Sequence, residues 1–493
     1  MALLVIIVVV IVVWIACQRP RFWTVLRGAP TVITGNQANA LMNAKGISLI
    51  LGMLRVPLHV FSKPTIFFGL PGSGKTSLIN MMLPALMKLF SAGRTRIVLL
   101  DIKNELPSRL HAITPNNVPI HLLNPLEMRA PVLDFPTLFT SRSDIEQLAH
   151  SICPPLPGDQ TPFFRSAARQ TISLVGHVLQ KHQPKATTPW GLHQLCAILA
   201  DKKMLRLVMD CDFEAKTFYA ATLGPRIKSA GDVFSTIRSV IQPLVSASLV
   251  ELNNPHRFYL KSFLRSDGIA ILGMPPTGSQ AVLPLYNVFL RRLIEEAQLN
   301  SHPDDRLFII LDEIAMLDRG IVDAIVKAAC IGRSHGLHIL AATQSVELME
   351  SEFGRDKSHA FLASCATTVG LRCGSLQTAE YVTGRMGKQE GLVLLTSWTQ
   401  AQQSSTTTSQ QLHMRPTVLA EELLHLPLAD PDKDLLTFYA VSPAFGNVKV
   451  NCPFIKQTTV VCDSNFPNVL PRSLQGHELR PLTDAQWKEL GLR

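Results

Sequence analysis

Short, almost wholly apolar runs recur along the chain and alternate with longer stretches of mixed apolar and polar residues. Six such runs are TIFF (65–68), RIVLLD (96–101), PIHLLNP (119–125), IAILGM (269–274), LFIILD (307–312) and LHILAATQ (337–344). Strands this apolar are buried on both faces, which is typical of parallel sheets covered by helices. The pattern therefore predicts an α/β fold built on a buried parallel sheet.

The strand pattern disappears over residues 150–260. Apolar residues in this region recur near helical spacing, both in TPFFRSAARQTISLVGHVLQKH (161–182) and in DVFSTIRSVIQPLVSASLVEL (232–252). The helical positions of the first segment are Phe164, Ala168, Ile172, Val175 and Leu179. We expect an inserted all-α domain that interrupts the sheet domain in sequence but leaves it continuous in space.

The N-terminus shows the sharpest change in composition. Ala2–Cys17 (ALLVIIVVVIVVWIAC) carries no charge, and as a helix it would span about 24 Å, which suits a short transmembrane helix. Arg19, Arg21 and Arg27 follow, so the positive-inside rule places the rest of the chain in the cytoplasm. A cleaved signal peptide is an alternative, but neither a basic n-region nor an A-x-A site is present. A lipoprotein-type Cys17 is another, and it would put the nucleotide motif described below in a compartment without ATP.

Composition also divides the remaining chain. ISLILGMLRVPLHVF (47–61) contains Arg55 and Pro57, so we expect an interfacial or packed segment, with a second membrane span as the alternative. TQAQQSSTTTSQQ (399–411) is polar and predicts a surface loop. The predicted order is a membrane anchor (1–18), a juxtamembrane linker (19–60), the first part of the sheet domain (61–149), the all-α insertion (150–260), the second part of the sheet domain (261–450) and a C-terminal tail (451–493).

Bulk composition narrows the class of protein. Of the 493 residues, 47% are hydrophobic and 17% are charged, which is more apolar than an average soluble domain but far from a multi-span membrane protein. The net charge is +10 at pH 7, which favours polyanionic partners such as nucleic acid or an anionic membrane face.

A glycine-rich motif follows the first apolar run. GLPGSGKTS fits G-x-x-x-x-G-K-[ST], in which glycines turn the backbone so that its N–H groups face phosphate oxygens. The lysine reaches the β- and γ-phosphates, the threonine hydroxyl ligates Mg²⁺, and the N-terminus of the next helix adds positive potential. The motif predicts a site for ATP and Mg²⁺ formed by Gly69, Leu70, Pro71, Gly72, Ser73, Gly74, Lys75, Thr76 and Ser77.

A second acidic motif, LFIILDEIAML, completes this chemistry. Asp312 follows a buried strand, where its carboxylate is placed to hold Mg²⁺ through water. Glu313 is then the natural base that polarises the attacking water. Two solvated acids at a strand end are the alternative.

Further polar residues follow other strands. Gln344 ends a strand beside the site and is a candidate γ-phosphate sensor, while Arg333 on the preceding helix could reach a neighbouring subunit's nucleotide. A capping glutamine and a surface arginine are the alternatives. In DIKNE (101–105), Asp101 and Glu105 lie where α/β sheets bind ligands, and an ordinary loop is equally compatible with the sequence.

The order of these motifs resembles one family, the coupling ATPases of type IV secretion and conjugation, within the larger class of septal-translocase-like and HerA-like DNA pumps. The resemblance covers about residues 60–450. Gly69–Thr76 and Asp312-Glu313 match its two nucleotide motifs, and DIKNE resembles its D-P-K-G-E except at Ile102 and Asn104. The other similar segments are DQTPFFRSAARQTISLVGHVL (159–179), GRSHGLHILAATQS (332–345) and MRPTVLAEELLHLP (414–427).

The resemblance implies a RecA-like ATPase that forms a homo-hexamer at the bacterial inner membrane. It also implies sequence-independent DNA binding and delivery of a relaxase–DNA complex to a type IV secretion channel, with Arg333 as an arginine finger and Gln344 as its glutamine partner. Five basic residues are available to contact the DNA backbone, and solvated surface charges are the alternative: Arg165, Arg169, Arg226, Lys228 and Arg238. An ATP-dependent receptor for protein substrates and a related pump for chromosome segregation or end processing remain as alternatives.

Overall fold

The computed structural model describes most of the chain after the predicted anchor, which lies outside the described residues. The described residues are 23–42, 47–91, 93–102, 106–156, 162–252, 254–274, 279–299, 302, 305–317, 319–331, 335–399, 405–430, 432–454, 479 and 481–492.

Strands and helices alternate through most of this region. The strands are β1 (Trp23–Gly28), β2 (Ile33–Thr34), β3 (Ser48–Leu51), β4 (Leu54–Pro57), β5 (Thr65–Phe68), β6 (Thr95–Asp101), β7 (Ile120–Leu123), β8 (Val132–Leu133), β9 (Arg257–Phe258), β10 (Gly268–Gly273), β11 (Arg306–Leu311), β12 (Leu337–Thr343), β13 (Thr367–Gly370), β14 (Lys388–Thr399), β15 (Ser405–Pro416), β16 (Leu436–Ser442) and β17 (Gly446–Cys452). The α-helices are α1 (Gly35–Met42), α2 (Lys75–Met87), α3 (Leu106–Ile113), α4 (Phe135–Leu138), α5 (Arg142–Ile152), α6 (Pro162–His182), α7 (Leu192–Ala200), α8 (Lys202–Met209), α9 (Phe213–Thr222), α10 (Ala230–Ile241), α11 (Val245–Leu252), α12 (Leu260–Arg265), α13 (Ser279–Leu299), α14 (Arg319–Ile331), α15 (Val346–Phe353), α16 (Arg355–Ser364), α17 (Leu376–Met386), α18 (Ala420–Leu424) and α19 (Asp484–Glu489).

A ten-stranded mixed sheet organises the fold, in the order β2-β17-β16-β13-β5-β12-β11-β6-β10-β7. The strands from β13 to β7 are parallel, and β16 and β17 extend this part in antiparallel fashion. The six apolar runs are β5, β6, β7, β10, β11 and β12, so the prediction of a buried parallel sheet is confirmed for them. The antiparallel extension was not predicted.

Successive residues of each central strand face two different hydrophobic cores. In β11, for example, Leu307 and Ile309 join the core on one side of the sheet, and Phe308 and Ile310 join the core on the other. This is the period-two alternation of a strand, but both faces are apolar because both are covered. The first core contains the helices between β7 and β10, and the second contains α2 and the β3–β4 hairpin.

Between β7 and β10, the regular structure of the described residues is helical apart from the short parallel pair of β8 and β9. The two segments predicted to be helical form α6 and the α10–α11 region, so these predictions are confirmed. Ala230–Leu252 has the length and apolar composition of a membrane span, and half of it is buried within the protein. Its inner face therefore contributes to the helical core.

A buried ionic cluster joins these helices to the sheet domain. The Arg292 guanidinium on α13 lies 2.9 Å from Asp144 of α5 and 2.9 Å from Glu296, and it donates to the Leu138 carbonyl at 3.0 Å. Asp144 also accepts from the backbone N–H of Ser141 in the capping box of α5. One arginine thus connects a helix packed on the sheet with the first long helix of the insertion.

The predicted linker at 19–60 differs from the structure, because its described part is folded into the sheet domain. Strand β2 pairs with β17 at the edge of the main sheet. The segment 47–61 forms β3, β4 and a 3₁₀ helix, and its residues Leu49, Leu51 and Phe61 are fully buried. The segment is therefore packed, and the alternative of a second membrane span is wrong.

The prediction of a loop at 399–411 is wrong for residue 399 and for residues 405–411, which are in strands, and residues 400–404 lie outside the described residues. The chain forms a hairpin of two 12-residue strands, β14 and β15, and β1 pairs with the outer edge of β14. Threonine is β-branched and favours strands, a preference that polarity alone does not register.

The predicted tail boundary at 451 falls inside β17, which ends at Cys452. Further along the tail, α19 packs on the helical region. The backbone N–H of Thr187 donates to the Glu489 carbonyl at 2.8 Å, and Trp487 is buried in the first core.

We expect Arg292→Ala to lower the free energy of unfolding by about 3–5 kcal/mol, because it leaves buried carboxylates without their cation. The loss is measured as a shift of the urea midpoint of the detergent-solubilised chain. Arg291→Ala is the matched control: its pair with Glu295 is partly exposed, and we expect a change of about 0–1 kcal/mol. Equal shifts for the two variants would contradict the structural role of Arg292.

Candidate functional site: a phosphate-binding loop and its acidic partner

The loop between β5 and α2 is fastened to the two strands that flank β5. The backbone N–H of Gly69 donates to the Thr343 carbonyl at the end of β12 at 3.3 Å. The N–H of Leu70 donates to the Arg372 carbonyl beyond β13 at 2.8 Å. All four residues of β5 are buried, so the position of the loop at the carboxyl edge of the sheet is fixed by packing.

Two glycines give the loop its shape. Gly72 has φ of +77° and Gly74 has φ of +103°, in the left-handed region that other residues rarely adopt. A Cβ atom on Gly74 would also lie 2.4 Å from Leu436 Cδ1 at the start of β16. The backbone before α2 therefore turns in a way that only glycine permits at these positions.

Lys75 is the first residue of α2 and is buried. Its ammonium group donates to the carbonyl oxygens of Gly69 and Leu70 within the same loop. These contacts hold the positive charge against the loop, beside backbone N–H groups of a helix N-terminus. The loop is thus a concave anion-binding surface.

Thr76 and Asp312 meet across the sheet edge. The Thr76 hydroxyl lies 2.9 Å from Oδ1 and 3.0 Å from Oδ2 of Asp312, although 236 residues separate them in sequence. One hydroxyl oxygen and one carboxylate next to a phosphate-binding loop form an all-oxygen donor set, the type that Mg²⁺ prefers. These two residues are therefore suited to hold Mg²⁺, with Asp312 acting through water.

Glu313 is buried next to this pair. Its Oε1 atom is shielded from solvent and has no hydrogen-bond partner among the described residues. Burial raises the pKa of the Glu313 carboxyl, and the neighbouring Thr343 side chain and the positive charge of Lys75 act in the opposite direction. A buried carboxylate with a free acceptor atom is suited to accept a hydrogen bond from a water molecule and then its proton.

These residues line one cleft with a volume of about 450 Å³. It is lined by Asp312, Glu313, Gln344 and seven residues of the loop and the start of α2: Leu70, Pro71, Gly72, Gly74, Lys75, Thr76 and Ser77. The size, the concave anion-binding loop and the unpartnered Glu313 oxygen all fit a nucleoside triphosphate with its Mg²⁺ ion.

A family model described as "Type IV secretion-system coupling protein DNA-binding domain" matches residues 48–440. The chain belongs to the type IV secretion-system coupling proteins. This match spans most of the sheet domain, the helical insertion and both nucleotide motifs. The resemblance inferred from the motifs is therefore confirmed.

Solved structures of other proteins have a fold similar to that of this coupling protein. The unbound bacterial conjugative coupling protein TrwBdeltaN70 is 18% identical, with a TM-score of 0.68 over 88% of this chain and 95% of that one. The plasmid coupling protein TrwB in complex with ADP and Mg²⁺ is 18% identical, with a TM-score of 0.67 over 90% and 97%. VirB4 of Thermoanaerobacter pseudethanolicus is more distant, at 11% identity and a TM-score of 0.50 over 86% and 99%.

At these identities the likeness establishes the fold, which is a RecA-like α/β fold with a mixed sheet. Among curated proteins, none matches the coupling protein described here.

The structure places most of the predicted site residues of this coupling protein together. All the predicted loop residues except Gly69 and Ser73 line the cleft with Asp312 and Glu313, and Gln344 joins them directly after β12. Arg333 lies outside the described residues, between the end of α14 and the start of β12. Its predicted role therefore remains a prediction.

The other predicted polar residues have structural partners. Asp101 accepts a hydrogen bond from the backbone N–H of Leu106 at 2.8 Å, at the start of α3, and Glu105 lies outside the described residues. Arg165 and Arg169 donate to carbonyl oxygens just beyond the end of α5, and Arg238 donates to the Ala200 carbonyl at the end of α7. These three guanidinium groups stabilise helix ends, which a solvated charge does not do.

Sequence reasoning missed the residues that line the other parts of the cleft: Ile102, Met316, Ala429 and Phe454. Phe454 lies two residues beyond Cys452, which pairs with Leu436, and Leu436 is the residue that approaches Gly74. Phe454 therefore reaches the cleft from the β16–β17 pair. Ile102 and Met316 lie inside DIKNE and LFIILDEIAML, but those motifs give their apolar side chains no role. No local motif marks Ala429 and Phe454, which are distant in sequence from the loop.

We expect Glu313→Gln to lower nucleotide turnover by about 10²–10⁴-fold, the contribution of a general base, while nucleotide affinity changes little. Steady-state hydrolysis and equilibrium nucleotide binding measure the two effects. Because the pKa of Glu313 is raised, its carboxylate becomes protonated at a higher pH than that of an ordinary glutamate. We therefore expect wild-type hydrolysis to decline at that higher pH as the pH falls. Glu421→Gln, at an exposed position, is the control and should match the wild type.

Proposed function

We propose that this chain is a membrane-anchored ATPase that uses hydrolysis to recruit a relaxase–DNA complex and to pump the DNA into a type IV secretion channel. The observation that carries the proposal is the meeting of Thr76, Asp312 and Glu313 in one cleft of a coupling-protein fold. This is the machinery of phosphoryl transfer to water.

The chemistry follows from the positions of these groups. The backbone of Gly72–Thr76 and the Lys75 ammonium would bind the phosphates of ATP, and Thr76 with Asp312 would hold Mg²⁺. Bound Mg²⁺ supplies positive charge that offsets the charge on the β- and γ-phosphate oxygens. Glu313 orients a water molecule and accepts its proton, and Gln344 at the strand end contacts the γ-phosphate region.

The cleft also suggests where the base binds. Asp312 marks the proposed Mg²⁺ position, whereas Ala429 lies beside Gly74 and Phe454 lines the same cleft. An alanine and an aromatic ring form an apolar surface that suits a purine ring. We therefore assign this end of the cleft to the nucleotide base.

Completion of the site requires a neighbouring subunit in this proposal. The chain between α14 and β12 carries Arg333, and the family resemblance gives this residue the role of an arginine finger. A positive charge inserted from the next subunit would stabilise the transition state. Every site receives such a charge only if the subunits form a closed ring. The proposed assembly is a homo-hexamer with sites between subunits.

The proposed location is the cytoplasmic face of a bacterial inner membrane. The uncharged segment Ala2–Cys17 would be a single transmembrane helix, and the arginines after it would keep the body in the cytoplasm. This orientation supplies ATP to the cleft and places the body where cytoplasmic DNA is available.

The DNA partner is supported by the family description and by the net charge of +10. A specific observation favours the alternative of a protein-substrate receptor: Arg165, Arg169 and Arg238 are engaged with backbone carbonyls. Arg226 and Lys228 remain exposed. The two functions differ in whether DNA changes the rate of hydrolysis.

We expect Lys75→Ala to lower the kcat/KM for ATP hydrolysis by about 10²–10³-fold, because it removes a fixed charge from the phosphate site. The full chain in lipid nanodiscs is assayed with and without DNA, and alkaline carbonate extraction checks that the variant remains membrane-bound. Lys63→Ala, at an exposed position, is the matched control and should behave as the wild type.

The same assay separates the two functions. For a DNA pump, DNA raises the wild-type rate, and the rise weakens between low and moderate salt because the contacts are made to phosphates. A rate that is indifferent to DNA at every salt concentration would support the receptor. Normal DNA transfer in cells that carry the Lys75→Ala variant would contradict the proposal that ATP hydrolysis drives the transfer.

We expect Phe454→Ala to weaken nucleotide binding by about 0.5–1.5 kcal/mol, the usual contribution of an aromatic stacking contact. Isothermal titration with ATP measures the change, and Phe454→Tyr should bind as the wild type does. Because the phosphate contacts are untouched, inorganic triphosphate should bind both variants equally. A loss of triphosphate binding would show that the substitution disturbs the loop instead.

A further inference from the structure

The β14–β15 hairpin extends past the first described strand. Strand β1 runs antiparallel to β14, from Trp23 opposite Val393 to Gly28 opposite Gln389. The hairpin continues beyond Val393 for six residue pairs, from Leu394 opposite Gln410 to Thr399 opposite Ser405. This part, residues 394–399 with 405–410, is called the hairpin overhang. It points in the direction from which the chain arrives at Trp23.

Chain length sets how far the overhang lies from the proposed membrane anchor. Six steps along a strand cover about 20 Å, so the overhang extends about that far beyond Trp23. The anchor is predicted to end at residue 18, and five residue steps to Trp23 span at most about 18 Å even when fully extended. The overhang is therefore at least as long as the connection between the body and the membrane.

The short connection restricts the distance between the overhang and the membrane surface. A fully extended connection that continues the line of β1 puts the membrane surface at about the level of the end of the overhang. Any shorter path brings Trp23, and the hairpin with it, nearer to the bilayer. The overhang then reaches the headgroup layer end-on or lies along it.

The sequence of the hairpin suits that environment. No charged residue occurs from Gly391 to Leu412, a run of 22 positions in a chain of net charge +10. The overhang consists of threonine, serine and glutamine with Leu394, Leu395 and Trp398. Neutral hydroxyl and amide groups enter a headgroup layer without the cost of desolvating a charge, and tryptophan is enriched at membrane interfaces.

Charged residues return only where the hairpin joins the body. Arg27 of β1 pairs with Glu390, and Arg415 lies opposite Gln389. Two large apolar side chains of β15 lie in solvent below the overhang, since Leu412, opposite Leu392, is 56% exposed and Met414, opposite Glu390, is 69% exposed. The neutral part of the hairpin is therefore its far end together with an apolar strip below it.

We propose that the hairpin overhang is a second membrane contact, seated in the lipid headgroup layer beside the anchor. The proposal rests on the membrane anchor of the proposed function. A single helix leaves the body free to rotate and tilt, whereas a helix and a hairpin together fix the orientation of the sheet relative to the membrane.

The test uses the full chain in phosphatidylcholine vesicles with a fluorophore on a single introduced cysteine. Thr407→Cys labels the overhang, Ser405→Cys gives a second position on the same strand, and Ser235→Cys on exposed α10 is the matched control. The background carries serine at four native cysteine positions, Cys17, Cys211, Cys330 and Cys462, because the remaining ones are buried: Cys153, Cys196, Cys365, Cys373 and Cys452. Retained ATP hydrolysis shows that each labelled chain is folded.

We expect a nitroxide carried on the lipid headgroup to quench the overhang labels and to leave the control label bright. Aqueous iodide should give the reverse order. Overhang labels that respond only to iodide would overturn the proposal, as would labels shielded from both quenchers, which would indicate a covering protein. Flotation of the chain with the vesicles is scored separately, so failure of the anchor is distinguished from failure of the overhang contact.

Discussion

The contact between Thr76 and Asp312 is the interaction on which the rest of the site depends. It joins the first turn of α2 to the end of β11, and β12 lies between β5 and β11 in the sheet. Parallel strands present their carboxyl ends at one edge, so the loop and the acid meet only if all three strands keep their register. A slip of one residue in β11 would move Asp312 away and turn Glu313 to the other face.

Burial on both sheet faces is what holds that register. Alternate residues of the central strands enter two cores, so a shifted strand would exchange the two sets of side chains. The helical insertion covers one face, and α2 with the β3–β4 hairpin covers the other. This explains why the segment 47–61, apolar enough to suggest a membrane, belongs to the sheet domain instead.

The limits of sequence reasoning are clear at particular residues. An arginine pattern cannot distinguish a DNA contact from a helix cap, and Arg165, Arg169 and Arg238 are caps because the chain brings carbonyl oxygens to them. Likewise, the polarity of residues 399–411 suggested a loop, although residues 405–411 pair with β14 as part of a strand. The arginines are decided by carbonyl oxygens that the folded chain brings to them, and the strand is decided by its pairing with β14. Composition encodes neither partner.

The sequence by itself determined the features that are local. Apolar runs marked the six central strands, glycine and lysine spacing marked the phosphate loop, and Asp312-Glu313 followed a strand, because each of these depends only on neighbouring residues. Tertiary structure decided what depends on distant partners: the antiparallel extension through β16 and β17, the placement of Ala429 and Phe454 in the cleft, and the buried state of Glu313. It also decided how far the β14–β15 hairpin extends past Trp23, because pairing register between distant segments sets that length.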